Sequence, residues 1–193
     1  MPLHRGLYLL PLAFVSLSLV AGEDIEKAPQ KEPRCNAFGL SVQTDLPLRD
    51  LKDSLDRRVG YGLGLQWTHD HGAYHASRTR LEFNVFPEGN PVGTSATTTY
   101  AKNVVFSFDH LFRLNEGPTG MYLVGGLGGV RWTLDQKTPS LPSSSLQTTK
   151  LAITAGAGVQ LAKQLTLEGR YLFSGIQKTF DSNTVQVSLG WRF

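Results

Sequence analysis

The chain has 193 residues, of which 40% are hydrophobic and 18% charged, with a formal net charge of +3. That length suits one domain, and the basic excess is too small to point to nucleic acid. The mean hydropathy of -0.16 excludes a bundle of membrane helices, because beyond the N-terminus no apolar run approaches the ~20 residues such a helix needs.

Residues 1–22 have the composition of a secretory signal. Arg5 gives a positive start, residues 7–20 (LYLLPLAFVSLSLV) an apolar core, and Val20, Ala21 and Gly22 the small residues of a cleavage site before Glu23. Removing the segment takes away one basic residue and no acid, which leaves a charge of +2. Residues 23–35 are polar and contain proline, so a flexible lead-in is expected. The single cysteine, Cys35, cannot form an internal disulfide. Its position after the polar stretch EDIEKAPQKEPR argues against lipidation. A free thiol is expected, with intermolecular pairing as the alternative.

From residue 36 onward apolar and polar residues alternate, the period-2 signature of strands. The first strand, 36–44, sets Phe38, Leu40 and Val42 against Ala37, Gly39, Ser41 and Gln43. The second, 59–68, sets Tyr61, Leu63, Leu65 and Trp67 against Gly60, Gly62, Gly64 and Gln66. The third, 77–86, sets Leu81, Phe83 and Val85 against Arg78, Arg80, Glu82 and Asn84. The fourth, 100–113, sets Val104, Phe106, Phe108 and Phe112 against Asn103, Ser107, Asp109 and Arg113. In the fifth, 120–134, Tyr122, Val124, Val130, Trp132 and Leu134 are expected on the apolar face, with Arg131 and Thr133 opposite. Glycines 125, 126, 128 and 129 lie between them and suit close packing rather than a phosphate loop, since no lysine or helix follows.

The sixth strand, 149–161, sets Leu151, Ile153, Val159 and Leu161 against Thr154, Gly156, Gly158 and Gln160. The seventh, 164–174, sets Leu165, Leu167, Tyr171 and Phe173 against Thr166, Glu168 and Arg170. The eighth, 184–193 (TVQVSLGWRF), sets Val185, Val187, Leu189, Trp191 and Phe193 against Thr184, Gln186, Ser188, Gly190 and Arg192.

Eight strands, several of them about ten residues or a little longer and so able to cross a bilayer when tilted, fit an all-β, eight-stranded antiparallel up-and-down transmembrane barrel. The connectors alternate in length. Those at 69–76, 114–119 and 162–163 are tight, whereas those at 45–58, 87–99, 135–148 and 175–183 are mostly longer. Short inner turns and long outer loops are the asymmetry of such barrels. A water-soluble eight-stranded barrel would bury its apolar face. Here the bulky aromatics share one face, while the other is rich in Gly, Ser, Ala and Thr, as a narrow filled lumen requires. The expected inward charges are Arg80, Glu82, Asp109, Arg113, Arg131, Glu168, Arg170 and Arg192. Buried charges of this kind have to be paired, and the excess of arginines over acids places some at a wet rim.

The signal segment, the eight alternating strands and the C-terminal GWRF resemble the small outer-membrane β-barrels of the OmpA/OmpX type, over about residues 36–193. The resemblance implies an outer-membrane barrel domain at 36–193 in the bacterial cell outer membrane, a monomer surrounded by outer-membrane lipid and lipopolysaccharide. It also implies that Val187, Leu189, Trp191 and Phe193 are the signal read by the barrel-assembly machinery. No peptidoglycan-binding domain follows Phe193, so anchoring through the cell wall is not expected.

Two polar groupings could carry chemistry. His75 and Ser77 share a strand face and resemble locally the His and Ser of lipid A deacylases. Glu82 has the opposite parity, however, and Glu88 lies in the next loop, so no triad is expected. His69, Asp70, His71 and His75 could bind a metal, but turns collect such residues for hydrogen bonding anyway, and no metal or cofactor is expected. In the first loop Leu48, Leu51 and Leu55 have helical spacing among alternating charges, consistent with a short amphipathic helix on the barrel rim. The Ser-, Thr- and Pro-rich loop TPSLPSSSLQTT carries no specific binding motif. The expected function is a structural or surface-interaction role through the outer loops, with a surface ligand as partner and no enzymatic activity. A narrow channel for ions or small solutes is the alternative, and a lipid A deacylase-like membrane hydrolase the second alternative.

Overall fold

A strand in lipid has no water to satisfy its open edge, so a spanning sheet must close on itself. The computed structural model shows that closure: eight antiparallel strands are hydrogen-bonded in chain order as a closed barrel. It describes residues 36–90, 97–116, 119–139, 141–174 and 181–193. The expected signal, the lead-in and Cys35 lie outside the described residues. The strands are β1 (Asn36–Pro47), β2 (Gly60–Asp70), β3 (His75–Gly89), β4 (Thr98–Arg113), β5 (Gly120–Lys137), β6 (Ser144–Gln160), β7 (Leu165–Phe173) and β8 (Thr184–Arg192). A six-residue helix, α1 (Arg49–Ser54), lies between β1 and β2.

The seam between β1 and β8 runs from Gly39 opposite Arg192 to Pro47 opposite Thr184. Chain termini usually fray unless tied down, and here the last residue is tied. The Phe193 N–H donates to the Phe38 carbonyl at 2.8 Å, and the two rings stack with centroids 6.4 Å apart. Outside, Phe38, Leu63, Trp67, Phe106, Phe108 and Trp191 are exposed around the barrel. A water-soluble surface rarely carries so wide an apolar belt, whereas lipid solvates it.

The inner connections span four to six residues and the outer ones six to twelve; the connector expected at 135–148 shrinks to 138–143 because β5 and β6 run further outward than the sequence reading has them. β3, β4, β5 and β6 have 15, 16, 18 and 17 residues, well beyond the ~9–11 needed to cross a bilayer. Their inner ends are level, with His75 opposite Phe112 and Gly120 opposite Gln160, so the surplus length projects at the outer end.

The faces of seven strands follow the sequence reading, and β5 reverses it. Tyr122, Val124, Val130, Trp132 and Leu134 are buried inside the barrel, while Arg131 is exposed on the outer surface. The rule of polar residues inward fails for β5 at the outer mouth, where an apolar cluster occupies part of the interior beside buried polar residues such as Asp45, Thr99 and Lys150. There Leu51 and Leu55 of the first loop fold inward and cluster with Phe86, Ala101, Val105, Val130, Trp132 and Leu172.

Glycines on inward positions make room for what fills the lumen. A Cβ on Gly126 would lie 2.4 Å from both the Asp109 Oδ1 and the Phe108 carbonyl oxygen. Valine favours strands more than glycine does, so Gly126→Val separates propensity from packing. We expect it to lower stability by about 1–3 kcal/mol, measured as a lower urea midpoint for the refolded barrel. An unchanged or raised midpoint would contradict the packing argument.

Candidate functional site in the barrel lumen

Eight strands leave an interior only wide enough for side chains, so any inward charge is desolvated. A desolvated charge needs a partner. β3 directs Arg78, Arg80, Glu82 and Asn84 inward at every second position, β4 contributes Asn103, Ser107 and Asp109, β7 Thr166, Glu168 and Arg170, and β8 Gln186 and Ser188, all buried. At mid-barrel the three arginines 78, 80 and 170 meet the three carboxylates of Glu82, Asp109 and Glu168, so the cluster is neutral.

Arg170 is the hub. Its Nη2 donates to both oxygens of Glu82 at 2.5 and 2.6 Å and to Gln186 Oε1 at 2.5 Å, and its Nε reaches the same Gln186 oxygen at 3.0 Å. Arg78 binds Glu168 at 2.9 Å and Asp109 at 3.2 Å. Arg80 pairs with Glu168 and lies 3.0 Å from Glu82. Two neutral donors complete the acids: the Tyr122 hydroxyl donates to Glu168 Oε2 at 2.8 Å, and the Thr154 hydroxyl to Asp109 Oδ1 at 2.9 Å. Above them Gln43 donates to Asn84 at 2.6 Å, and Asn84 to Asn103 at 2.8 Å.

Of the eight charges expected in the lumen, the structure brings five together: Arg80, Glu82, Asp109, Glu168 and Arg170. Arg113 and Arg192 sit lower, at the inner mouth. Arg113 pairs with Asp70, and with Arg192 it lines a small cavity in which about 10 Å3 is open to a water-sized molecule. That is room for about one water. Arg131 is not in the lumen. It lies outward on the extension of β5 and donates to Gln147 at 2.9 Å, because the reversed parity of β5 turns Trp132 inward instead. Arg78 and Tyr122 were missing from the expected set. Arg78 shows in the sequence as an inward position of its strand, whereas the four glycines of β5 hide the parity of Tyr122.

The outer end of the lumen is closed by apolar packing. Leu51 and Leu55 are fully buried, and Phe86 and Trp132 lie with ring centroids 5.6 Å apart in the same cluster. The first loop is stapled over the mouth to the last one. The Leu48 N–H donates to the Asn183 carbonyl at 3.0 Å, the Asp181 N–H donates to Asp50 Oδ2 at 3.0 Å, and Arg49 pairs with Asp181 at 2.8 Å. The sharp entry to and exit from α1 put Arg49, Asp56 and Arg57 at φ of 50°, 51° and 60°, a conformation uncommon outside glycine. The helix is therefore not laid on the rim but tucked into it.

The two polar groupings lie elsewhere, on the outer face at the inner end. Ser77 Oγ is bonded to His71 Nε2 at 2.9 Å, while His75 meets His110. Glu82 is committed to the lumen cluster, and Glu88 pairs with Lys137 at the opposite end of the barrel. No carboxylate therefore completes a triad on His75 and Ser77 among the described residues. Asp70 points inward to Arg113, which takes it out of the histidine group, and among the described residues no three metal-binding side chains converge.

Breaking a buried ion pair from one side leaves the other charge stranded, at a cost of about 3–5 kcal/mol. Arg170→Met should destabilise the refolded barrel by about that amount, and the double change Arg170→Met with Glu82→Gln should recover part of the loss. Urea unfolding of the three proteins checks this; equal stability of the single and double variants would mean that Glu82 is not stranded.

A model of the family described as "Outer membrane protein beta-barrel domain" matches residues 15–193. No curated protein matches the sequence. Among solved structures the chain is similar to Ail of Yersinia pestis, with 16% identity, a TM-score of 0.60 and coverage of 82% of this chain and 97% of that one. It is also similar to the N-terminal barrel of Pseudomonas aeruginosa OprF, with 11% identity, a TM-score of 0.56 and coverage of 83% and 99%. With Neisserial surface protein A the identity is 14%, the TM-score 0.50 and the coverage 81% and 95%. With closed topology, apolar belt and family match agreeing, the chain belongs to the outer membrane protein beta-barrel domain family and is a barrel of the bacterial outer membrane.

Proposed function

We propose that this protein is a plugged barrel that acts as a structural and surface-interaction protein through its outer end, and is not a channel. The observation that carries the reading is the closed lumen: a neutral ion-pair cluster at mid-barrel lies beneath an apolar plug made by Leu51 and Leu55. Solute passage would require breaking both layers. What remains available to a partner is the projecting outer end, where Arg49, Arg57, Arg58, Lys102, Arg131 and Lys137 are exposed beside the Ser- and Thr-rich connection of β5 and β6. Ail, a barrel of this fold, has been solved in complex with the heparin analogue sucrose octasulfate, which supports looking for a polyanionic ligand here. Lipopolysaccharide and outer-membrane lipid are the standing surroundings of that end, and the protein works as a monomer.

The domain reading that goes with this is a removed signal at 1–22, a lead-in at 23–35 and the barrel at 36–193. Val187, Leu189, Trp191 and Phe193 are proposed as the assembly signal. They form one outward stripe down β8, with Trp191 and Phe193 exposed at its end.

Two measurements on the refolded barrel test the function. In planar bilayers the protein should be silent, with insertion verified by heat-shifted gel mobility. Steady conductance steps would overturn the plugged reading and favour the channel. In the second, binding to heparin beads and to lipopolysaccharide is compared with that of a variant whose residues 138–143 are replaced by Asn-Gly, a tight hairpin turn. Binding that falls in the shortened variant, with gel mobility and silence unchanged, supports an outer-end ligand site. Failure of the full-length barrel to bind either probe would overturn it.

A further inference from the structure

Four histidines come together on the outer face at the inner end of the barrel. β2 places His69 directly opposite Ser77 of β3, and Ser77 lies opposite His110 of β4, so one outward row carries all three. His75 lies two residues along β3, diagonal to His110, and its ring packs on Phe112 with centroids 5.3 Å apart. Diagonal pairs across antiparallel strands are within reach of long or aromatic side chains.

The nitrogens of this group differ in what they already hold. His71 Nε2 is bonded to Ser77 Oγ at 2.9 Å, and His69 Nδ1 meets Asn36 Oδ1. His75 Nδ1 and His110 Nε2 instead face each other at 3.1 Å, on side chains exposed on the outer face next to the inner turn at 71–74. Two imidazole nitrogens bound to one ion at about 2.0–2.1 Å lie about 2.9 Å apart at a right angle and about 3.3 Å apart at the tetrahedral angle. The observed separation falls between these limits.

We propose that His75 and His110 form a two-imidazole site for a late first-row divalent cation, with Cu2+ bound most tightly. In the bound state each neutral ring directs one lone pair to the ion and carries its proton on the other nitrogen. Without metal one ring's N–H donates to the facing nitrogen of the other; on binding, that ring passes to its other tautomer, its proton leaving the facing nitrogen through water and returning to the outward one, so no net proton is released. Both rings are anchored on adjacent paired strands, so their spacing is fixed before the ion arrives, and water completes the coordination. Imidazole suits copper, nickel and zinc, and copper heads the divalent affinity order.

The test is titration of the untagged, refolded mature barrel with Cu2+, followed by calorimetry and electron paramagnetic resonance. The expected result is one ion per chain with a spectrum showing two nitrogen ligands. His75→Ala and His110→Ala should each weaken binding by about tenfold or more, while His71→Ala leaves it unchanged. Heat-shifted gel mobility confirms that each variant is folded. Unchanged affinity in His110→Ala, or a wild-type spectrum without two nitrogens, would mean that the pair is a hydrogen bond only. Loss of binding in His71→Ala would place any metal elsewhere in the cluster and equally overturn the assignment.

Discussion

Everything in this barrel depends on the need to satisfy backbone hydrogen bonds where there is no water. Lipid offers no partner to an open strand edge, so β8 has to return to β1, and the seam holds through to the last residue of the chain. Closure at eight strands then fixes the diameter, and the diameter forces the interior to be packed with side chains. The charge pattern of the lumen follows from that geometry. In a space without solvent, Arg78, Arg80 and Arg170 are tolerable only because Glu82, Asp109 and Glu168 stand within contact distance.

Arg170 shows why this cluster is a constraint as much as a source of stability. It joins β7 to Glu82 on β3 and to Gln186 on β8. β8 is already paired with β7, whereas strand pairing alone would leave β3 connected to β7 only through the strands between them around the ring. A planar guanidinium with five donors can hold several acceptors at once, which a lysine could not do with the same geometry. Buried ion pairs gain little over apolar packing of the same volume, so the network does more to fix which side chains meet across the lumen than to deepen the energy minimum. Inward glycines such as Gly126 and Gly158 belong to the same solution, because a Cβ there would strike Asp109 or Tyr122, two members of the cluster.

Most of the fold was legible because period-2 alternation is a strong signal in strands this long. β8 shows it best, with an apolar residue at each odd position from Val185 to Phe193. The reading failed where the medium inside the barrel changed. It assumed a polar lumen from end to end, and on that assumption Arg131 belonged inside and Trp132 outside. The lumen is polar through its middle and at its inner mouth, but an apolar cluster fills much of its outer mouth. Its outer mouth is filled by Leu51 and Leu55, residues far from β5 in sequence, and no local pattern in β5 records their arrival. The run of glycines 125, 126, 128 and 129 removed the remaining parity information. The first strand also runs further than the sequence reading, which begins the connector at residue 45: Asp45 is a buried inward residue of β1 opposite Gln186.

The plug also decides where function has to reside. An eight-stranded barrel with a hydrated lumen would present its chemistry to solutes passing through, and its loops would matter only as an entrance. Here the first loop is consumed in sealing the mouth. Leu51 and Leu55 are buried in it, its backbone is bonded to residues 181 and 183, and three of its residues adopt left-handed conformations to make the turn. Such conformations persist only where surrounding contacts over-determine them, so the seal is a built feature and not a loop that happens to lie over an opening. With the first loop and residues 181–183 occupied in closing the barrel, the hairpins β3–β4 and β5–β6 stand apart. They are the longest of the hairpins that turn at the outer end and project beyond the belt, with cations on their outer surface. On the proposed reading, contact with other molecules falls to that half of the rim.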